Sequence, residues 1–330
     1  MVIAVDAAGG DFYPENPVLG AIEATKEDSA VEILLVGPEN IIHKELDNAS
    51  GYDASRIRIL HAPEIIGMDE SPATAVKSKP NSSIPVGIGA HKKGICSAFV
   101  SAGNTGALLA ASTFILGKLK GVIRPTIAAV FPTIKGVRLL MDAGANLELK
   151  PEMYVQFAKM GTIFAEEILE VENPTVGFLN VGEEPEKGTD EHKEIYKLLA
   201  GSLPNFAGNI EGKDVLFAKS DIFLTDGFTG NLILKFGESV PDALKQLLAK
   251  TMKDDNISPE LQKTIYELLT KTLHTFNYEH VGGIPFLGVD GISMVGHGGS
   301  SPRAIKNMIL NASQCIKHKV NEKIVASLKS

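Results

Sequence analysis

The sequence contains no tryptophan, only two cysteines, and no uninterrupted apolar run of roughly the 18 residues that a membrane-spanning helix needs. The missing tryptophan carries no functional information. Cys96 and Cys315 lie too far apart for a metal-binding spacing and are too few for a disulfide framework, so they read as reduced, buried thiols. The opening Met1-Val2-Ile3-Ala4-Val5-Asp6 has no basic region and is not expected to act as a signal peptide. Positive charge is also in short supply. Against 40 acidic residues stand 32 Lys and Arg, a net charge of −8, which argues against broad nucleic-acid affinity because a phosphate backbone demands a basic face. A local basic patch remains compatible with that balance. There is no GxSxG elbow and no Cys–His nucleophile pair. The Walker and GxGxxG spacings are missing too, so nucleotide or NAD binding gains no support. No linker, low-complexity segment or fixed-period repeat divides the chain.

What is present is a soluble-protein composition, 44% hydrophobic and 22% charged over 330 residues, enough for a large core. Apolar strand-like runs alternate with helix-like stretches. Strands are expected at 2–5, 32–36, 57–60, 98–100, 176–181, 214–217, 221–224 and 291–295. An antiparallel pair is expected at 127–132 and 137–141, turning at Lys135-Gly136. Helices are expected at 14–24, 84–93, 105–116, 151–169, 191–199 and 302–318, with a mostly helical region near 232–280. Ser71-Pro72 and Ser258-Pro259-Glu260 read as helix starts. This alternation predicts one α/β domain over 1–330, a mostly parallel sheet covered by helices on both faces.

The strand ends carry the chemistry, because ligands of open α/β sheets bind beyond the carboxyl ends of strands. Ser101-Ala102-Gly103-Asn104-Thr105-Gly106 offers backbone N–H groups at a helix start, where an anion is stabilised, with hydroxyl and amide side chains beside them. Asp226-Gly227-Phe228-Thr229-Gly230-Asn231 repeats the pattern. There Asp226 can orient a donor and Asn231 can hydrogen-bond a carbonyl oxygen. Gly296 to Ser301, with His297, is a third anion cradle, and Lys187 in the loop 182–188 can touch a phosphate or a carbonyl. Each has a purely structural alternative: a capped turn for the first two loops, a bystander histidine, a solvated lysine. Asp6, Asp11 and Asp142 stand near glycines at generic spacings, and no metal or cofactor is expected.

Taken together, these segments resemble the bacterial phosphate acyltransferases of phospholipid synthesis, the PlsX family. The resemblance runs in order through Ile3-Ala4-Val5-Asp6-Ala7 with Gly9-Gly10-Asp11, Ser82-Ser83, and Phe99-Val100-Ser101-Ala102-Gly103-Asn104-Thr105-Gly106-Ala107. It continues through Gly144-Ala145-Asn146, Lys150-Pro151-Glu152, Gln156-Phe157-Ala158 with Met160-Gly161, and Leu179-Asn180-Val181-Gly182-Glu183-Glu184 with Lys187-Gly188. It closes with Phe206 to Gly212, Thr225 to Asn231 and Gly296-His297-Gly298. The chain departs from the family at Ala8, usually methionine, at Phe12-Tyr13, usually His-Ala, and at Gly299-Ser300-Ser301.

The resemblance implies a fold like that of phosphate acetyltransferases and the isocitrate dehydrogenase-like group. It also implies conversion of acyl-[acyl carrier protein] and inorganic phosphate to acyl phosphate and free carrier protein. The acyl phosphate would pass to a membrane glycerol-3-phosphate acyltransferase. Homodimers, a cytoplasmic location and peripheral attachment to a membrane surface are implied as well. On this reading Ser101, Gly103, Asn104, Thr105 and Gly106 hold phosphate, and Lys187 and Asn231 meet the thioester, with Asp226 and His297 as further catalytic candidates. A thiolate leaves easily and phosphate is a ready nucleophile, so positioning and oxyanion stabilisation suffice without a nucleophile triad. Lys92, Lys93, Lys118, Lys120 and Arg124 are candidates for a patch that meets the acidic carrier protein. The stripe Leu261, Ile265, Leu268, Leu269, Leu273 and Phe276 reads either as dimer or core packing or as a surface for membrane or acyl chain. Rival readings are a phosphotransacetylase using acyl-coenzyme A, an oxidoreductase of the isocitrate dehydrogenase-like group, and a non-catalytic membrane scaffold.

Overall fold

A computed structural model describes residues 1–273 and 282–329. Its strands are β1 (Val2–Asp6), β2 (Glu32–Gly37), β3 (Ile57–His61), β4 (Ala98–Ser101), β5 (Thr126–Thr133), β6 (Gly136–Met141), β7 (Val176–Leu179), β8 (Phe206–Ile210), β9 (Ile222–Leu224), β10 (Ile284–Leu287) and β11 (Ile292–Val295). They form one sheet in the order β3-β2-β1-β4-β11-β10-β5-β6-β9-β7-β8. Seven of the ten described pairings are parallel, as the strand–helix alternation predicts. The three antiparallel ones, β11–β10, β10–β5 and β5–β6, sit together in the middle. They reverse the sense of the sheet, so β6, β9, β7 and β8 run opposite to β1, β2, β3, β4 and β11.

The strands are apolar throughout because helices cover both faces. On one face the helices Pro72–Ser78, Ser83–Lys92 and Thr105–Ala111, with Ile233 and Leu234 of the long helix Gly227–Asp254, pack on side chains such as Phe99, Phe131, Leu140 and Phe223. The other face is split. Glu15–Glu27 and Pro302–Lys317 cover β1, β2, β4 and β11, while Pro151–Glu167, Asp190–Ser202 and Val320–Ser327 cover β6, β7 and β9. Both expected helix starts are observed, but only Ser258 caps its helix through its side chain, by accepting from the Leu261 N–H, whereas Ser71 makes no side-chain cap bond; Asn104 and Ser301 likewise accept from the backbone N–H three residues on.

Four differences from the sequence reading are informative. The expected strand at 214–217 is a short helix, Gly212–Val215, because the Glu211 and Asp214 side chains each accept from the other's backbone N–H. Phe206–Ile210 is the strand in its place, and its Gly208 obscured the apolar pattern. β10 is a strand that the sequence pattern does not announce, because a Pro lies in its four residues. The expected helix 105–116 is α-helical only over Thr105–Ala111 and widens into a π turn over Ser112–Leu116.

Glycine decides one close contact that positions the site. A Cβ at Gly87 would lie 2.0 Å from the ring of the fully buried Phe99 on β4. Gly87→Ala should destabilise the protein by about 1–3 kcal/mol through overpacking. Gly89→Ala, on the same helix and meeting nothing within 4 Å, should be neutral or stabilising by about 0.5–1 kcal/mol. Urea unfolding of the two variants checks the contrast, and equal effects would refute it.

Candidate active site

The loops singled out in the sequence gather in two groups, each at the carboxyl ends of adjacent parallel strands. The first group leaves β1, β4 and β11. Asp6 ends β1 and Ser101 ends β4, and both are buried. Ser101 Oγ donates to Asp6 Oδ2 at 2.6 Å and accepts from the Gly103 N–H at 2.9 Å. The Ala8 N–H donates to Asp6 Oδ1 at 3.0 Å. The Gly9 and Gly103 loops touch: a Cβ at Gly9 would sit 2.9 Å from Gly103 N. Asp11 N–H donates to Gly298 O at 2.8 Å, which ties the third loop in.

Asn104 is spent on architecture. Its Oδ1 caps the following helix through the Ala107 N–H at 3.0 Å, and its Nδ2 lies 3.1–3.2 Å from the carbonyls of Gly67, Met68 and Glu70. Thr105 is exposed at the helix start. Gly106 lies under Pro72, whose Cγ would be 2.4 Å from an added Cβ. His297 is exposed, and its Nδ1 accepts from the Gly299 N–H at 3.1 Å, which puts the proton of a neutral ring on Nε2.

The second group leaves β6, β9 and β7, which are neighbours. Asp226 caps the long helix by accepting from Thr229 N–H at 2.8 Å and Thr229 Oγ1 at 2.9 Å. Asn231 is exposed one turn into that helix, and an added Cβ on Gly144, in the loop after β6, would lie 3.5 Å from its Cβ. Gly144 has φ +114, a conformation that glycine supplies without strain.

Lys187 is exposed in the loop after β7, with Nζ 3.9 Å from Glu184 Oε2. Its loop is clamped from both sides: Asn180 Nδ2 donates to Lys187 O at 3.2 Å and Asn209 Nδ2 to Glu184 O at 2.8 Å. The segment carrying Lys118, Lys120 and Arg124 leads into β5 at this same edge, since Asn146 Nδ2 donates to Pro125 O at 2.9 Å. Lys92 Nζ reaches this segment through Leu116 O at 2.7 Å and pairs with Asp290 at 3.7 Å.

Two buried carboxylates anchor the groups, and neither stood among the sequence candidates for the reaction. Asp6 and Asp142 each close a strand and accept several bonds, and burial raises both carboxyls above the ordinary 3.8 while those bonds oppose the rise. The available signal was an acid directly after an apolar strand and before a glycine turn. The thiols are both buried, and burial pushes Cys96 to about 11 and Cys315 to about 12, far from a reactive thiolate at neutral pH.

Comparison with known proteins agrees with this architecture. The family described as "Fatty acid synthesis protein" matches residues 1–323. Among curated relatives, the phosphate acyltransferase of Salinibacter ruber is 47% identical, over 94% of this chain and 92% of its own. That of Chlorobaculum parvum is 46% identical over 99% of both, and that of Acetivibrio thermocellus 43% over 98% and 95%. Among solved structures, a phosphotransacetylase from Streptococcus pyogenes superposes with TM-score 0.63 at 15% identity, covering 96% of this chain and 94% of its own. The EutD phosphotransacetylase of Staphylococcus aureus gives 0.57 at 14%, covering 95% and 94%. At these identities the structural likeness speaks for the fold.

The buried Asp6 carboxyl makes a pH prediction. Its value is higher folded than unfolded, so the folded state holds the extra proton between the two values. The stability this supplies is present at low pH and is lost as pH rises through the folded value. The stability of the wild type minus that of Asp6→Asn should therefore fall as pH rises above about 3.8 and then level off. Urea unfolding across pH reads this difference, and a rise over the same interval would contradict it.

Proposed function

The chain belongs to the phosphate acyltransferase family, and on that premise we propose that it moves an acyl group from the thioester of acyl carrier protein to inorganic phosphate. The acyl phosphate formed would feed glycerol-3-phosphate acylation in phospholipid synthesis. One observation carries this reading: the Lys187 loop, the Asp226–Asn231 helix start and the Asp142 turn leave three adjacent parallel strands at their carboxyl ends. Such a group offers one exposed cation and one exposed amide to a carbonyl.

In the proposed reaction a phosphate oxygen attacks the thioester carbonyl carbon. The carbonyl π pair moves to oxygen, and the Asn231 amide and Lys187 ammonium stabilise that oxyanion. Collapse reforms the carbonyl and expels the thiolate of the carrier arm, which takes up a proton from water. Phosphate is held at the Ser101–Gly106 loop by the backbone at Thr105 and Gly106, with His297 on the neighbouring loop. Asp226 acts by capping the helix that carries Asn231.

The two groups leave strands of opposite sense. A twist of about 20–25° per strand, summed over the five steps from β4 to β9, leaves their outward directions roughly 55–80° apart instead of opposed, which supports a shared crevice. The basic segment 118–124 beside the second group suits an acidic carrier. The same fold in phosphotransacetylases keeps acyl-coenzyme A as the rival donor.

Asn231→Ala and Lys187→Ala should each lower acyl-phosphate formation roughly 10²–10³-fold. Turnover measured with acyl carrier protein and with coenzyme A thioesters decides the donor. Near-normal turnover in both variants would refute these roles, and preference for the coenzyme A donor would refute the carrier.

We further propose that the protein works as a homodimer at the cytoplasmic face of a membrane. No described helix is long and apolar enough to cross one. The helix Pro259–Thr272 has no buried residue, and Leu261 and Leu268 are exposed, so its apolar positions contribute nothing to the core of the described chain. Phe276, the end of the stripe expected from the sequence, lies outside the described residues. Leu261→Glu with Leu268→Glu should release the folded protein from liposomes in a flotation assay, and undiminished binding would count against a membrane role for this face.

A further inference from the structure

We infer that Asp142 is a positioning residue for Asn231, an inference that rests on the proposed role of Asn231 at the thioester carbonyl. Asp142 is fully buried and has no route to substrate of its own. Its Oδ1 accepts from the N–H groups of Ile127 and Ala145, both at 3.1 Å. Its Oδ2 accepts from the Asn146 N–H at 2.7 Å and Asn146 Nδ2 at 2.8 Å. Four donors on one carboxylate fix the turn 142–146 as a rigid unit and join it to β5.

That turn is the seat of the long helix. Asn146 O accepts from the Gly227 N–H at 2.8 Å. A Cβ at Gly227 would lie 2.5 Å from Asn146 O, and one at Gly230 would lie 1.8 Å from Asp142 O, so the first turn of the helix rests directly on this backbone. Asn231 follows Gly230, and a Cβ added at Gly144, in the middle of the same turn, would stand in ordinary van der Waals contact with its side chain, 3.5 Å from its Cβ and 3.7 Å from its Oδ1. The chain of contacts therefore runs from one carboxylate, through a five-residue turn, to the amide that faces the carbonyl. A shift of that turn moves the Asn231 amide by the same amount, and a misplacement of about 1 Å can cost on the order of 10² in rate.

Asp142→Asn tests this, since it keeps the volume but turns one acceptor into a donor that faces other donors. The assay is acyl-phosphate formation from acyl-[acyl carrier protein] and inorganic phosphate, with kcat and KM for phosphate measured for wild type, Asp142→Asn, Asn231→Ala and the double variant. Asp142→Asn should lower kcat about 10²-fold with KM for phosphate changed less than about twofold. In the Asn231→Ala background the same change should cost less than about threefold, because the residue it orients is gone. If Asp142→Asn does not fold, as judged by thermal unfolding, Asn146→Ser replaces it in the same cycle. Near-normal kcat in Asp142→Asn, or an equal loss in both backgrounds, overturns the positioning role while Asn231 keeps its own. Near-normal kcat in Asn231→Ala instead removes the functional reading on which the inference rests.

Discussion

The antiparallel insertion of β10 between β11 and β5, followed by the β5–β6 hairpin, sets where every polar loop of this protein emerges. On either side of that seam the strands are parallel, and parallel strands put all their connections to helices at the same end. The three antiparallel pairings leave a net reversal across the middle of the sheet and so give two sets of carboxyl ends. The Ser101 loop belongs to one set and the Lys187 and Asn231 loops to the other. An all-parallel sheet would line these loops along one edge; with the sense reversed, it is the twist of the sheet that can turn the two sets toward one another.

Both sets are built on the same device, a buried carboxylate where an apolar strand stops. Isolated charges in such places are costly, and here hydrogen bonds from backbone N–H groups and neighbouring side chains offset part of the desolvation. Asp6 organises the glycine loops of the first set through Ser101 and Ala8. Asp142 organises the turn of the second. The exposed groups, Lys187, Asn231, Thr105 and His297, stand on backbone that these carboxylates and the clamping amides of Asn104, Asn180 and Asn209 hold in place. This division is what acyl transfer to phosphate needs. The nucleophile and leaving group are already competent, so rate depends on where donors sit more than on their basicity.

The membership in a phosphate acyltransferase family and the phosphotransacetylase-like fold agree on the class of chemistry. They also fit the buried, unreactive thiols: acyl transfer here proceeds on a scaffold that holds its cysteines away from thiolate formation. The exposed apolar positions along Gly227–Asp254 and Pro259–Thr272 lie outside that scaffold, on a helical pair whose first turn is the seat of Asn231. A contact made along Gly227–Asp254 is thus on the same helix as the proposed carbonyl-binding amide.

Most of the local elements were legible in the residues alone. Most apolar runs of four to six residues ended by glycine or an acid read correctly as buried strands, and the Ser-Pro and Asp-Gly starts as helix starts, because these signals act over three or four residues; the exception at 214–217 is a short helix. The sequence also determined that the loops after those strands carry the polar side chains, and its ordered motifs determined the family. Pro285 and Gly208 hid β10 and β8, since a strand whose partners satisfy its backbone can tolerate residues that local propensity disfavours. The assignment of side chains within the loops was beyond it: Asn104 and Asn231 are both amides in glycine loops. Tertiary structure alone decided that one is consumed by the carbonyls of Gly67, Met68 and Glu70 while the other faces outward. The partners that made the difference are more than thirty residues away for Asn104, and for Asn231 the seat is the turn after the neighbouring strand β6, with three strands between them in the sequence, separations that only packing of the whole sheet brings together.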